Sequence, residues 1–150
     1  MTINKTVTIV DYGVGNLLSL QRGFQHLGAE VVITADIEKL HNAKYIVLPG
    51  VGAFSNAMSE LNKLNLVDPI TEIAKKGTPV LGICLGMQLL CNSSQELGLT
   101  KGLGLIPGNV VRMPNKSIDG KCLKIPQIGW NELVTNDGFN WDGIILKGLS

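Results

Sequence analysis

Strand-like and helix-like patterns alternate along the first half of the chain. The β-branched run from Thr6 to Val10 predicts a strand. Apolar residues then recur at helical spacing, at Leu17, Leu20, Phe24 and Leu27. Gly28 follows them as a residue typical of helix ends. The pattern therefore predicts a strand, a loop and a helix as the first structural unit.

The same unit then repeats twice. Further strands are predicted at residues 31–33, 45–48 and 80–83, and helices at 36–41, 54–63 and 67–76. Parallel strands need crossover connections, and right-handed crossovers place helices on the sheet. We therefore predict an α/β fold with a doubly wound, mostly parallel sheet of the flavodoxin-like type and helices on both faces.

Helical periodicity fades from Glu96 onward. Strand-like segments at 103–112, 123–133 and 144–146 are separated by turn sequences at 107–108, 118–120 and 136–138. We expect this part to be more antiparallel. The last residues, 143–150, begin a new element, so we expect residues 1–150 to form a single domain that lacks its C-terminal portion.

Composition and charge exclude several classes of protein. With 45% hydrophobic and 17% charged residues the chain can bury one substantial core. A net charge of +1 without a Lys/Arg cluster argues against binding to nucleic acid or to a membrane surface. No apolar run has the length of a bilayer span and no export signal is visible, so we expect a cytoplasmic protein. The three cysteines lack metal-site spacing and predict free thiols.

The segment PVLGICLGMQ, residues 79–88, places Cys84 between a predicted strand and a predicted helix. Ligands bind beyond the carboxyl ends of strands in open α/β sheets. A sharp strand-to-helix turn strains the residue at its apex, and the small neighbours Gly82 and Gly86 relieve the crowding. This cysteine turn, residues 82–86, predicts a nucleophile, with the N–H of Leu85 directed at an oxyanion. The alternative is a small buried cysteine in a tight turn.

A second glycine-rich turn, Pro49-Gly50-Val51-Gly52, follows another predicted strand. We call it the PGVG turn. Its N–H groups could complete an oxyanion hole, because glycines let the main chain approach a substrate closely. The remaining glycine cluster, residues 13–15, invites a dinucleotide-binding interpretation. Leu18 stands where that motif needs its third glycine, and no acidic residue ends the strand at 31–33, which argues against it.

Three segments together resemble the class I glutamine amidotransferases: YGVGN at 12–16, LPGVGAF at 48–54 and GICLGMQLL at 82–90. GLGLIPGNVVRMP at 102–114 and IPQIGWNEL at 125–133 are similar, more narrowly, to the glutaminase subunits of imidazole glycerol phosphate synthase in histidine biosynthesis. The resemblance covers essentially the whole chain.

This resemblance implies that Cys84 attacks the side-chain amide of glutamine, forms a glutamyl thioester and releases ammonia. It implies oxyanion donors at Leu85 and, after a backbone adjustment, at Val51 or Gly52. It also implies glutamine binding by Gly50 and Gln88. The alternative for Gln88 is an exposed polar residue of a helix. No metal or cofactor is implied.

The resemblance further implies a heterodimer in which ammonia passes to a TIM-barrel cyclase. Asn16, Trp130 and Asn131 are the residues expected near that partner. The structural alternatives are a helix N-cap for Asn16 and a core anchor for Trp130.

A cysteine nucleophile of this kind needs a base, usually a histidine. The sequence contains only His26 and His41, both predicted at the amino ends of the strands. Family members supply a histidine and a glutamate from an H-P-E-like segment downstream of GWN, which is absent from these 150 residues, so we expect the chain alone to be inactive. Gln127 stands where family members often have histidine, which leaves the role of that position open.

Three other functions remain as alternatives. A non-catalytic subunit could keep the fold and dock on a synthase, and a glutaminase subunit could feed a different synthase. A cysteine hydrolase of the wider amidotransferase-like superfamily is disfavoured by the PGVG and GWN segments.

Overall fold

The structure is a computed structural model that describes residues 5–126 and 128–134. The chain divides into two compact units, one ending at Arg112 and the other beginning at Met113, and each is described by itself. The expected single domain stays a prediction. No helix among the described residues is long and apolar enough to cross a bilayer.

The elements of the first unit follow the alternation that the sequence predicts. They are β1 (Thr6–Val10), α1 (Leu17–His26), β2 (Glu30–Thr34), α2 (Ile37–His41), β3 (Ile46–Leu48), α3 (Phe54–Lys63), α4 (Val67–Lys75), β4 (Val80–Gly82), α5 (Leu85–Leu89), β5 (Cys91–Ser94), β6 (Thr100–Lys101) and β7 (Ile106–Val110).

The central sheet has the strand order β2-β1-β3-β4, with every pair parallel. The chain passes from β1 to β2 on one side and then crosses to β3 on the other. The loops after β1 and β3 therefore diverge at the position where open α/β sheets bind ligands. The predicted α/β fold with a mostly parallel sheet is confirmed.

Both faces of this sheet are covered by helices. Val7, Ile9 and Val47 pack in one core cluster with residues of α1, whereas Val10 and Leu48 pack in another with residues of α3 and α4. These residues alternate along β1 and β3, and alternate residues of a strand point to opposite faces. The two clusters therefore lie on the two sides of the sheet, as a doubly wound fold requires.

A second, three-stranded sheet has the order β6-β5-β7. The β5–β6 pair is antiparallel and the β5–β7 pair is parallel, so this sheet is mixed. Pro107-Gly108, predicted as a turn, lies inside β7.

Helical structure after the cysteine turn ends earlier than its pattern suggests. We expected helical periodicity up to Glu96, but α5 ends at Leu89. The Leu89 carbonyl accepts a hydrogen bond from the Leu103 N–H at 2.9 Å, and the Leu90 carbonyl accepts one from the Leu105 N–H at 2.8 Å. Bonds to a distant segment thus replace the bonds that would continue the helix.

In the second unit, Lys116 and Cys122 form an isolated β-bridge around the predicted turn at 118–120. Residues 123–126 and 128–134 form no strand, so the strand predicted at 123–133 is wrong for these residues. They find no partner ladder in the described part of the chain, and an apolar pattern alone does not make a strand. The elements predicted at 136–138 and 144–146 lie outside the described residues.

Candidate active site

Cys84 occupies the apex of a sharp turn between β4 and α5. Its backbone has φ +56° and ψ −119°. Residues other than glycine rarely adopt this region, and such a strained conformation costs about 1–3 kcal/mol. The residue is exposed and its thiol is free, as are those of Cys91 and Cys122. The predicted strained turn with an accessible thiol is therefore present, and the alternative of a buried cysteine is wrong.

The two glycines of the cysteine turn are required by close packing. A Cβ at Gly82 would lie 2.5 Å from the Cα of Met87. A Cβ at Gly86 would overlap the carbonyl oxygen of Leu48 at the end of β3. Real Cβ atoms do not make such contacts, so only glycine fits at both positions.

The PGVG turn packs directly on the cysteine turn. A Cβ at Gly50 would lie 2.8 Å from the Gly86 nitrogen and 2.9 Å from the Cβ of Leu85. The Ile83 N–H donates to the Leu48 carbonyl at 3.0 Å, which joins the two strand ends. The two glycine-rich turns, 30 or more residues apart in sequence, therefore lie against each other at the carboxyl edge of the sheet.

Several main-chain donors around this contact have no acceptor in the described part of the chain. They include the N–H groups of Leu85, Val51 and Gly52, and also those of Gly50 and Cys84. The N–H groups of the two residues after Leu85 are occupied, because Gly86 donates to the Ile83 carbonyl and Met87 to the Cys84 carbonyl, each at 3.0 Å. The unoccupied donors are the groups that an oxyanion would need.

The loop after β1 reaches the same place through Tyr12. The buried Tyr12 hydroxyl donates to the Pro49 carbonyl at 2.6 Å, and burial raises the pKa of Tyr12 to about 12. A Cβ at Gly15 would lie 3.1 Å from the Cβ of Pro49. The YGVGN segment is therefore packed on the PGVG turn. Sequence reasoning missed this use of Tyr12, for which its position after a strand end was the only signal.

Gln88 lies one helical turn beyond Cys84 and is half-buried. Its side chain makes no hydrogen bond within the described residues. Sequence reasoning also missed Glu96, whose carboxylate accepts a hydrogen bond from the Phe54 N–H at 2.8 Å, two residues after the end of the PGVG turn.

The residues predicted near a partner are all exposed. The Asn16 side chain accepts a hydrogen bond from the Ser19 N–H at 3.2 Å, so its alternative as the N-cap of α1 is confirmed. Trp130 has a relative exposure of 103%, so its alternative as a core anchor is wrong. Asn131 is exposed in the same unit. Gln127 lies outside the described residues.

Neither histidine lies at the edge that carries Cys84. His26 is the last residue of α1, which spans about 15 Å from the carboxyl edge of β1 towards the amino edge. His41 ends α2, shortly before β3 begins at Ile46, and is therefore also at the amino edge. Both are exposed. The expectation that neither histidine serves as a base for Cys84 agrees with this geometry.

The known proteins that this chain resembles in sequence agree with one another on its family. The family described as glutamine amidotransferase class-I matches residues 8–139. The imidazole glycerol phosphate synthase subunit HisH 1 of Legionella pneumophila (strain Lens) is 50% identical over 145 residues, which is 96% of this chain and 68% of that protein. Subunit HisH of Geobacillus sp. (strain WCH70) is 49% identical over 128 residues, 85% of this chain and 61% of that protein.

Solved structures support the same fold. A crystal structure of a glutamine amidotransferase matches with a TM-score of 0.61 and 20% identity, covering 70% of this chain and 56% of that one. A putative peptidase E protein from Listeria monocytogenes matches with a TM-score of 0.56 and 18% identity, covering 68% of this chain and 63% of that one. At these identities the likeness shows the fold alone.

Replacing Gly86 with alanine is expected to lower the free energy of unfolding by at least about 2 kcal/mol, because the new methyl group would overlap a main-chain carbonyl that cannot rotate away. Gly23→Ala is the matched control. Gly23 lies within α1, and apart from its own helix backbone and chain neighbours no atom of the described residues lies within 4 Å of the position that its Cβ would take. Alanine there should therefore raise stability by about 0.5–1 kcal/mol. Urea unfolding measures both, and equal effects would contradict the packing argument.

Tyr12→Phe is expected to cost about 1 kcal/mol at neutral pH, because the Pro49 carbonyl loses its donor. The raised pKa also sets a pH dependence. Between pH 10 and about 12 the unfolded chain releases the Tyr12 proton and the folded chain keeps it, so stability falls with rising pH in this window. The phenylalanine variant has no hydroxyl at this position, so its stability does not fall for this reason.

The stability difference between wild type and Tyr12→Phe should therefore shrink as the pH rises from neutral to about 11.5. Chemical unfolding at a series of pH values measures it. Tyr45→Phe, at an exposed tyrosine, is the matched control for the loss of a hydroxyl group and should leave the stability at neutral pH nearly unchanged. Parallel curves for Tyr12→Phe and wild type would contradict the assignment.

Proposed function

Because the chain belongs to the class-I glutamine amidotransferases, we propose that it is the glutaminase subunit of an imidazole glycerol phosphate synthase, acting in histidine biosynthesis. The observation that carries this proposal is the exposed Cys84 on its strained turn, packed against the PGVG turn. A nucleophile and unoccupied main-chain donors at one sheet edge are what acyl transfer from an amide requires.

In the first step the Cys84 Sγ attacks the side-chain carbonyl carbon of glutamine. An S–C bond forms and the carbonyl π electrons move to oxygen. The resulting oxyanion accepts hydrogen bonds from the N–H of Leu85 and from Val51 or Gly52 in the PGVG turn. Loss of one such donor typically costs 10²–10³-fold in rate.

In the second step the C–N bond breaks and the nitrogen leaves as ammonia, carrying the proton that the thiol gave up. The glutamyl thioester that remains is attacked by water, and glutamate and the free thiol are released. The proton needs a carrier between these steps. Since His26 and His41 lie at the opposite edge, we propose that neither of them carries this proton.

The substrate itself is held beside the nucleophile. Gln88, one turn along α5, is proposed to bind the α-substituents of glutamine through its unoccupied amide. Gly50 is proposed to line the site with main-chain atoms, which its lack of a side chain allows. The thiol is the nucleophile, so the proposed chemistry uses no metal or cofactor.

The ammonia is proposed to pass to a TIM-barrel cyclase in a cytoplasmic heterodimer, which uses it to form imidazole glycerol phosphate in a lyase reaction. The exposed Asn16, Trp130 and Asn131 are proposed to lie at the interface with this partner. A chain that only docks on a synthase, or one that feeds a different synthase, would be distinguished by the products formed from glutamine.

Cys84→Ala in the assembled synthase is expected to lower glutamine-dependent product formation by at least about 1,000-fold, because the nucleophile is removed. Synthesis from added ammonia should be unchanged, since the partner's reaction does not use the thiol. Cys122→Ala, at another exposed cysteine, is the matched control and should retain both activities. Equal loss of both activities in Cys84→Ala would contradict the role of Cys84 as the nucleophile.

The 150-residue polypeptide alone is expected to show no glutamine turnover at neutral pH, because neither of its histidines lies near Cys84. Release of glutamate, followed with a coupled assay at high enzyme concentration, measures this. The Cys84→Ala polypeptide gives the background rate. A thiol-dependent rate above that background would show that a residue within this sequence carries the proton.

A further inference from the structure

The start of α3 is held by a residue from another part of the chain. The helix begins at Phe54, two residues after Gly52, and its N-cap residue Ala53 has no side chain that could cap it. The Phe54 N–H instead donates to a carboxylate oxygen of Glu96 at 2.8 Å. A carboxylate at a helix N-terminus is favoured by the helix dipole, and its hydrogen bond is charge-assisted.

Glu96 is itself fixed to the segment that follows the nucleophile. Its N–H donates to the Ser94 hydroxyl at 3.1 Å, and Ser94 is buried at the end of β5. β5 begins at Cys91, directly after α5 and the cysteine turn. The side chain of Glu96 therefore links the strand after the nucleophile to the helix after the PGVG turn.

These contacts close a ring of covalent and non-covalent connections around the site. From Cys84 the chain runs through α5 and β5 to Glu96, crosses the hydrogen bond to Phe54, and returns through Gly52 to the packing of Gly50 on Gly86. The Phe54 ring, 1% exposed, anchors the same point in the core. Gly52 has φ +87°, and a Cβ placed on it would have no contact within 4 Å among the described residues.

We infer that Glu96 is a positioning residue for glutamine hydrolysis: by capping α3 it fixes the PGVG turn at the distance from Cys84 that oxyanion stabilisation requires. The inference rests on the proposed function. It assigns Glu96 no contact with glutamine. Displacement of a catalytic donor by about 1 Å can cost about 100-fold in rate, so loss of this cap is expected to slow chemistry rather than to weaken binding.

The test compares Glu96→Ala with Glu96→Gln in the assembled synthase. Glu96→Ala is expected to lower the glutamine-dependent kcat by roughly 10–100-fold, with KM changed by less than about 3-fold. Glu96→Gln should recover most of the rate, because its amide oxygen can accept the same hydrogen bond. Ammonia-dependent synthesis should be unchanged. Glu60→Ala, at the Lys63-paired glutamate of α3, is the control and should behave as wild type.

Amide hydrogen exchange at Phe54, followed by NMR in the same proteins, tests the contact apart from catalysis. Glu96→Ala should raise the exchange rate of this amide by about 10-fold, and Glu60→Ala should not. Unchanged exchange in Glu96→Ala would overturn the inference even if Cys84→Ala behaves as proposed. A raised KM with an unchanged kcat would overturn the inference in favour of direct substrate binding by Glu96. Equal losses of kcat in Glu96→Ala and Glu96→Gln would also overturn the inference.

Discussion

The contact between the main chain at Gly86 and the carbonyl of Leu48 is the constraint on which the rest of the site depends. Both partners are backbone atoms, so neither can rotate away as a side chain would. The parallel register of β3 and β4, which pairs Leu48 with Gly82, sets where the two strand ends meet. The position of the cysteine turn beside the PGVG turn therefore follows from the register of the sheet.

The strained backbone at Cys84 persists because its surroundings determine it from several sides. Leu85 and Leu89 are buried in the core cluster that also contains residues of α3 and α4. The hydrogen bonds of Gly86 and Met87 to the turn hold the apex from the helix side. Packing thus offsets a local cost of about 1–3 kcal/mol, which leaves the sulfur exposed on a rigid base.

Short-range signals predicted most of the elements. β1 and α3 have the predicted bounds because β-branched runs and helical spacing agree with their tertiary environment. The helix after Cys84 ends at Leu89, before the helical pattern fades at Glu96, because hydrogen bonds from Leu103 and Leu105 replace its continuation. Tyr12 and Glu96 were missed for a related reason: their partners lie 37 and 42 residues away, beyond any periodic pattern. Motifs located the turns, but not what holds them together.

Three glycines without a reactive group, Gly50, Gly82 and Gly86, leave no room for a single methyl group. A map of mutational tolerance across this chain would consequently show these glycines to be as sensitive to replacement as Cys84, although they form no bond to the substrate. Sensitivity to replacement at this edge measures steric necessity as much as reactivity. Only assays that score folding and turnover separately would tell the two apart.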